Sequence, residues 1–302
     1  MLPGHLVEGI VYYDTGPVVL ELNEQAESDG INPRFTNETQ PSFSIFGGNP
    51  APYGKYPQVC QFVSVFDEID GFRAIGAFCS ATIINEVTIM TNAHCIAFFE
   101  GFLLRYRRVY CGVVNSPLIS RVIDYYHQFR DVTSITIHPQ FVPYRQGFPF
   151  VASIEYDVAL MQLDIPLLFN DFVQPSNLWN GVDRIPRDCM HVGFGSSENA
   201  AGGTSLSPVM REITTKIRSD LRCRLFDDPF VTPYTDNNIC FFNSGPEVES
   251  PCPGDSGGLN LCGDFQVGII TYGRIGCGNP SYGGSMNIGR FFDWIRENSF
   301  KP

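Results

Sequence analysis

The stretch PCPGDSGGLN, residues 251–260, sets one serine, Ser256, among three glycines and directly after an acid, Asp255. Small residues in a row usually form a turn, and glycine also lets a backbone come close to another group because it has no Cβ atom. Two interpretations therefore stand at this point. Either the segment is a solvated turn, or Ser256 is the point where the chain contacts a substrate.

The order of the histidines restricts the kind of serine chemistry. Gly254–Gly258 fits G-x-S-x-G, the nucleophile turn of α/β-hydrolases, which supply their acid and histidine after the serine. No histidine follows Ser256, so that triad is excluded. A histidine, an aspartate and a serine in that order remain open as a catalytic set.

Two further segments carry candidates for such a set. His94 lies in TNAHC, residues 91–95, after an apolar run over 81–90 that predicts a strand. Asp157 opens YDVALMQL, residues 156–163, where a carboxylate at the edge of an apolar strand is costly unless it has a partner. The alternatives are a core histidine held by hydrogen bonds and a strand-edge aspartate facing water. His138 and His191 are expected to be structural, the first in a loop and the second in a strand.

Composition favours an all-β fold. Gly and Pro number 29 and 22 of 302 residues, and short apolar runs are separated by turn-forming residues from Ile45 onward. This pattern predicts many short strands. An apolar face over residues 289–298 predicts one short helix near the end of the chain. A net charge of −12 argues against nucleic acid or an anionic membrane surface as a partner.

The ten cysteines indicate an oxidised, secreted protein, because no Cys/His cluster has zinc spacing. No metal or other cofactor is expected. Residues 1–30 show no signal peptide and no run reaches the length of a membrane span, so the secreted assignment depends on the cysteines. Asn37 begins the sequon Asn37-Glu38-Thr39, a candidate glycosylation site, although chance could also produce it.

TNAHC, DVALMQL and CPGDSGG together resemble the TAAHC, DIALLKL and C-x-GDSGGP blocks of the chymotrypsin-like, trypsin-fold serine endopeptidases. IFGGNPAPYGKYPQV, from Ile45, is similar to the mature start of that family. The resemblance implies two six-stranded antiparallel β-barrels with the active site between them. It also implies a protease domain over 45–302, preceded by a pro-segment or amino-terminal extension over 1–44.

The resemblance assigns roles to the matched residues. Ser256 is the nucleophile, His94 the general base and Asp157 the residue that orients the imidazole. The N–H groups of Gly254 and Ser256 form the oxyanion hole. Asp255 pairs with the amine that cleavage before Ile45 frees. Ser44 precedes Ile45 where the family usually has Lys or Arg, so activation by a trypsin-like protease is not expected.

Specificity is predicted from the position six residues before the nucleophile, where trypsin-type members carry an aspartate. Here that position is Ser250, which predicts a chymotrypsin-like preference for large apolar residues before the cleaved bond, with Glu249 as an alternative source of a carboxylate. The resemblance further assigns substrate contacts to Thr271, Tyr272, Gly273 and Gly283. Relative to the family blocks, Asn92 replaces an alanine and Phe194 a tryptophan.

The resemblance pairs the cysteines as Cys79–Cys95, Cys189–Cys262, Cys223–Cys240 and Cys252–Cys277, which leaves Cys60–Cys111. The spacing between His94 and Asp157 exceeds that typical of the family, and Phe98–Arg108 and Tyr144–Ser153 are interpreted as insertions at the rim of the cleft. These insertions would narrow substrate choice or bind an inhibitor or another partner. The expected function is a monomeric, secreted endopeptidase acting on proteins or peptides. The alternative is a catalytically silent, permanently zymogen-like binding protein of the same fold.

Overall fold

The computed structural model describes residues 18–21, 45, 48–68, 74–97, 102–118, 120, 122, 124–142, 155–196, 206–218, 235–242, 249–272 and 282–302. The short apolar runs of the sequence form short antiparallel strands, which close into two six-stranded barrels followed by a helix. The predicted fold is therefore confirmed.

The first barrel joins its strands in the order β4, β3, β6, β7, β8, β5 and back to β4. A further strand, β1 (Val18–Glu21), adds to the outer edge of β4. The barrel strands are β3 (Val59–Glu68), β4 (Ala74–Asn85), β5 (Thr88–Thr91), β6 (Phe102–Cys111), β7 (Gln128–Ile137) and β8 (Ala159–Leu163).

The second barrel has the order β9, β10, β11, β14, β13, β12 and back to β9, and β2 (Asn49–Pro50) pairs with β10 outside it. Its strands are β9 (Asp188–Gly193), β10 (Arg211–Ile217), β11 (Asn238–Phe242), β12 (Leu259–Cys262), β13 (Phe265–Tyr272) and β14 (Tyr282–Asn287).

The core has one layer inside each barrel and one between them. Phe62 of β3 belongs to the cluster inside the first barrel, whereas its neighbour Val63 belongs to the cluster that also contains Val192 and Phe194 of the second. Successive side chains of a strand face opposite sides. Strands buried on both faces therefore read as continuous apolar runs.

The chain has a short helix α1 (His94–Ala97) after β5 and a longer one, α2 (Ile288–Asn298), which packs against both barrels. The Asn287 side chain caps it by accepting a hydrogen bond from the Gly289 N–H. Ile288, Phe291 and Ile295 are its buried residues, at the spacing of one helix face. They share one apolar cluster with Met90 and Leu160 of the first barrel and with Ile269 and Met286 of the second. The helix thus fixes the two barrels relative to each other.

Two expectations about strands were wrong. The apolar run over 81–90 is not one strand, because the Asn85 side chain accepts a hydrogen bond from the Val87 N–H and turns the chain between β4 and β5. The described part of the predicted insertion Phe98–Arg108 is not an insertion, since Phe102–Cys111 is barrel strand β6, paired with both β3 and β7. The predicted insertion Tyr144–Ser153 lies outside the described residues.

Three disulfides lie within the described residues: Cys60–Cys111, Cys79–Cys95 and Cys189–Cys262. The first links the paired strands β3 and β6, and the third links β9 and β12. Cys240 and Cys252 are also disulfide-bonded. The partners expected for these two, Cys223 and Cys277, lie outside the described residues.

His191 is a core histidine of β9, as expected from its strand position. It is 1% exposed, its ring meets Phe241 edge to face at 4.5 Å between centroids, and neither ring nitrogen has a hydrogen-bond partner among the described residues. Burial lowers the pKa of His191 to about 3. The imidazole is therefore held neutral in an apolar site.

We expect His191→Leu to raise the melting temperature, and to raise it more at pH 4.5 than at pH 7.5. Between about pH 6.5 and pH 3 the unfolded imidazole binds a proton that the folded one excludes, so the native protein loses stability as pH falls through that window. Leucine removes this loss, a gain of about 1–3 kcal/mol at pH 4.5. Thermal unfolding of both proteins at the two pH values measures this gain. A difference in melting temperature that is the same at both pH values would contradict the assignment of His191 as a buried, neutral imidazole.

Candidate active site

His94 and Asp157 meet because the strands beside them are paired. His94 begins the short helix α1 (His94–Ala97) just after β5, and Asp157 lies just before β8. Thr91 at the end of β5 lies opposite Ala159 at the start of β8. The antiparallel pair therefore brings the residue that follows one strand next to the residue that precedes the other.

Asp157 holds His94 at two points. Its Oδ2 lies 2.6 Å from His94 Nδ1, and its Oδ1 accepts a hydrogen bond of 2.8 Å from the His94 backbone N–H. A carboxylate only accepts, so Nδ1 carries the proton and the neutral ring has its lone pair on Nε2. Nε2 has no hydrogen-bond partner among the described residues. The ring is thus oriented with Nε2 available to accept a proton.

Ser256 lies beside the segment that carries His94. Its carbonyl oxygen accepts a 2.8 Å hydrogen bond from the Ser80 N–H of β4 and lies 4.0 Å from Cys95 Sγ. The Cys79–Cys95 disulfide joins the neighbours of Ser80 and His94. Strand, disulfide and serine backbone form one connected unit that includes Cys95, the residue after His94.

The glycines around Ser256 are required by its surroundings. Gly254 and Gly257 have φ of 92° and 80°, a region that other residues rarely adopt. A Cβ atom on Gly257 would overlap the Ser80 carbonyl oxygen and Thr91 Oγ1. The Gly254 N–H makes no hydrogen bond within the described part of the chain, so a donor is available where the resemblance places the oxyanion hole.

Asp255 is fully buried beneath the serine loop. It accepts hydrogen bonds from the backbone N–H groups of Gly195, at 2.7 Å, and Cys252, at 2.8 Å. Burial raises the pKa of Asp255 to about 7, although these two bonds act in the opposite direction. No ion pair to Asp255 occurs among the described residues. A Cβ on Gly195 would lie 2.5 Å from the Asp255 carboxyl carbon, which explains why glycine stands there.

Ile45, the expected first residue of the mature domain, is fully buried and has a φ of 42°. Its carbonyl accepts a 2.8 Å hydrogen bond from the Gly48 N–H. A positive φ is a strained conformation for a β-branched residue. Since φ is fixed through the bond to the preceding residue, cleavage of that bond would release the constraint.

Some of the predicted specificity residues lie in second-barrel strands, and Glu249 and Ser250 lie between β11 and β12. Ser250 is buried, while Glu249 is partly exposed. Thr271 is buried, Thr271 and Tyr272 end β13, and Gly283 is buried in β14 opposite Phe241. Gly273, like the sequon residue Asn37, lies outside the described residues.

Ser80 is a site residue that sequence reasoning missed. Its hydroxyl accepts a 3.0 Å hydrogen bond from the Phe194 N–H and donates at 3.2 Å to the Gly254 carbonyl. It thereby connects β4 to the loop of the predicted oxyanion hole. The available signal was a polar residue, in the segment FCSAT over 78–82, inside a strand buried on both faces.

Comparisons with known proteins agree with this architecture. The family model described as Trypsin matches residues 45–295. A protein named trypsin from Phaedon cochleariae is 25% identical over 265 residues, covering 87% of this chain and 91% of that protein. Transmembrane protease serine 9 from Rattus norvegicus is 27% identical over 232 residues, covering 72% of this chain and 19% of that protein.

Among solved structures, neuropsin, described as a serine protease expressed in the limbic system of mouse brain, superposes with a TM-score of 0.66. It is 22% identical and the match covers 84% of this chain and 99% of that one, a likeness of fold. Separately, none of the helices that the structure describes is both long and apolar enough to span a bilayer.

Proposed function

Because this chain belongs to the trypsin family and is a serine endopeptidase, we propose that His94, Asp157 and Ser256 are its catalytic triad. The observation that carries the proposal is the two-point contact between Asp157 and His94, which leaves the lone pair of Nε2 available. The core histidine His191, by contrast, has a hydrogen-bond partner at neither ring nitrogen among the described residues, and no carboxylate orients its ring.

The reaction proceeds in two halves. His94 Nε2 takes the Ser256 Oγ proton as Oγ attacks the carbonyl carbon of the peptide bond, and the N–H groups of Gly254 and Ser256 stabilise the oxyanion that forms. The C–N bond then breaks as Nε2 returns the proton to the leaving amine. A water molecule, deprotonated by the same nitrogen, hydrolyses the acyl-enzyme and restores Ser256.

Residues 1–44 act as a pro-segment, and cleavage before Ile45 activates the protease domain over 45–302. Two observations support this. Ile45 is strained by its bond to Ser44, and Asp255 is a buried carboxyl group without an ion pair among the described residues. The freed α-amine would supply that cation. Since Ser44 is not basic, the activator has a specificity different from that of trypsin.

The protein acts outside the cell as a monomer on protein or peptide substrates, carries a glycan on Asn37, and is a target for protein inhibitors. The disulfides support this setting, because such bonds persist in oxidising compartments.

We expect the enzyme beginning at Ile45 to cleave after large apolar residues such as Phe, Tyr, Leu or Met. Ser250 is buried and neutral, and a Lys or Arg side chain bound against it would be a buried cation without a partner. A peptide library with each residue type before the cleaved bond measures the preference, and Ser256→Ala is the inactive control. Preference for Lys or Arg would show that a carboxylate, such as that of Glu249, reaches the pocket.

A further inference from the structure

Asn92 is a fully buried amide placed beside the candidate triad. Its Nδ2 donates to the Asp157 carbonyl oxygen at 2.8 Å and to Thr271 Oγ1 at 3.1 Å. Its Oδ1 accepts a 2.6 Å hydrogen bond from the Gly257 N–H. Both ends of the amide are thus satisfied in a site with no exposure to solvent.

These contacts join three parts of the site. Asn92 follows β5 and lies two residues before His94, Thr271 lies on β13 of the second barrel, and Gly257 directly follows Ser256. One side chain therefore connects the backbone of Asp157 to the backbone beside the nucleophile, across the boundary between the barrels.

We propose that Asn92 is a positioning residue that sets the placement of Ser256 relative to the His94–Asp157 pair. The inference rests on the proposed function. A buried amide contributes only when its partners are accurately placed, since an unpaired one is costly. Its three hydrogen bonds therefore fix the two barrels at one separation in the place where the reacting groups meet.

The test compares Asn92→Ala with Asn260→Ala in the enzyme beginning at Ile45. Asn260 is the matched control, because it is also a fully buried asparagine whose amide links two strands, β12 and β14, through Ser285 Oγ at 2.8 and 3.0 Å. We expect Asn92→Ala to lower kcat about 10-fold or more with KM within about 2-fold, as a small misplacement of reacting groups does. Asn260→Ala should lower the melting temperature and leave kcat unchanged.

Asn92→Ser, which keeps a short polar group, is the second variant and is expected to fall between wild type and Asn92→Ala. The inference is overturned if folded Asn92→Ala or Asn92→Ser retains wild-type kcat, or if both asparagine sites lower kcat equally for the same loss of melting temperature. Wild-type enzyme without hydrolytic activity would instead refute the proposed function.

The strand β1, from the amino-terminal segment, pairs antiparallel with β4, with Val18 opposite Phe78 and Glu21 opposite Ile75. The Ser80 N–H of β4 holds the Ser256 carbonyl, and alternate residues of a strand present their N–H groups to the same edge. Phe78, two residues before Ser80, therefore presents its N–H at the same edge of β4, the edge that contacts Ser256.

The chain direction of β1 also matches that of the part of a substrate that follows the cleaved bond. The Gly257 N–H donates to the Ile270 carbonyl, so β13 runs away from Ser256 toward Tyr272. A peptide added antiparallel to the end of β13 runs toward Ser256 and, past it, reaches the edge of β4. Residue numbers in β1 increase away from Ser80, as they would in the leaving half of that peptide.

From this we infer that residues 18–21 occupy the edge of β4 that receives the leaving half of a substrate, so that the amino-terminal segment competes with substrate until it departs. Residues 1–44 contain no cysteine that could tether them after cleavage. This inference also rests on the proposed function.

A synthetic peptide of residues 11–29, added to the enzyme beginning at Ile45, tests it. We expect competitive inhibition of a long peptide substrate that extends past the cleaved bond, and no inhibition of a small ester substrate that ends there. Phe78 presents its N–H to β1, so Val18 opposite it also directs its own N–H toward β4. Leu20, two residues further along, does the same. Leu20→Pro therefore removes a hydrogen bond between the strands and should weaken inhibition about 10-fold. Val19→Pro, in the opposite phase, is the matched control and should inhibit like wild type.

Equal inhibition by the Leu20→Pro and wild-type peptides, or no inhibition of the long substrate, would overturn the inference. Enzyme that hydrolyses neither substrate would refute the proposed function instead. In that case hydrogen exchange at Gly76 and Phe78 of the uncleaved chain, expected to be faster in Leu20→Pro than in Val19→Pro, tests the strand pairing without any activity.

Discussion

Asp157→Asn is expected to lower kcat about 10⁴-fold in the enzyme beginning at Ile45, a magnitude taken from other triad enzymes. The His94 backbone N–H requires an acceptor at the position of Oδ1, so the new amide would place its NH₂ group against His94 Nδ1. Nδ1 would then have to accept, and the proton would move to Nε2. A protonated Nε2 cannot take the proton of Ser256.

Asp131→Asn is the control for this substitution, because Asp131 pairs with Arg108 on the first barrel through a partly exposed contact. Its kcat is expected to equal that of wild type. Steady-state kinetics at pH 7.5 on a peptide with a large apolar residue before the cleaved bond measures both. An Asp157→Asn enzyme within 10-fold of wild type would show that Asp157 does not set the tautomer of His94.

Gly257→Ala is expected to abolish activity and to reduce the yield of folded protein. The new methyl group would overlap the Ser80 carbonyl oxygen, which belongs to the strand that also holds Ser256. Relief of that overlap requires movement of the backbone beside the nucleophile, and the positive φ of Gly257 adds about 1–2 kcal/mol of strain for alanine.

Gly263→Ala is the control that separates the effect of backbone strain from the effect of steric overlap. Gly263 has a φ of 64°, but a Cβ there would be 3.4 Å from the nearest atoms, those of Pro186, an ordinary contact. We expect this variant to lose about 1–2 kcal/mol of stability and to retain wild-type kcat when folded. Activity of folded Gly257→Ala equal to that of Gly263→Ala would contradict the account of the serine loop.

Sequence patterns identified the strands and the candidate residues but not their contacts. The run Phe265–Tyr272 is strand β13 as predicted, because it is apolar and bounded by turn residues. The run over 81–90 gave no sign that the Asn85 side chain would turn the chain within it. Residues 102–108 were misread as part of an insertion, since chain spacing alone does not distinguish an added loop from a longer barrel strand.

The parts of the site that sequence could not supply depend on strand pairing. The contact between His94 and Asp157 follows from the register of Thr91 with Ala159, which no local pattern encodes. The bridges made by Ser80 and Asn92 likewise join segments far apart in the chain. A polar residue inside an apolar motif was the visible signal, and its partners became known only from the fold.

The most direct test of the central claim is labelling by a fluorophosphonate, which reacts with a serine whose hydroxyl is activated by a neighbouring base. The protein beginning at Ile45 is treated with the probe, digested and examined by mass spectrometry, with His94→Ala as the control. A single adduct on Ser256 that His94→Ala fails to form is the result we expect. Folded protein with a free Ile45 amine that takes no label, or takes it at another serine, would contradict the triad.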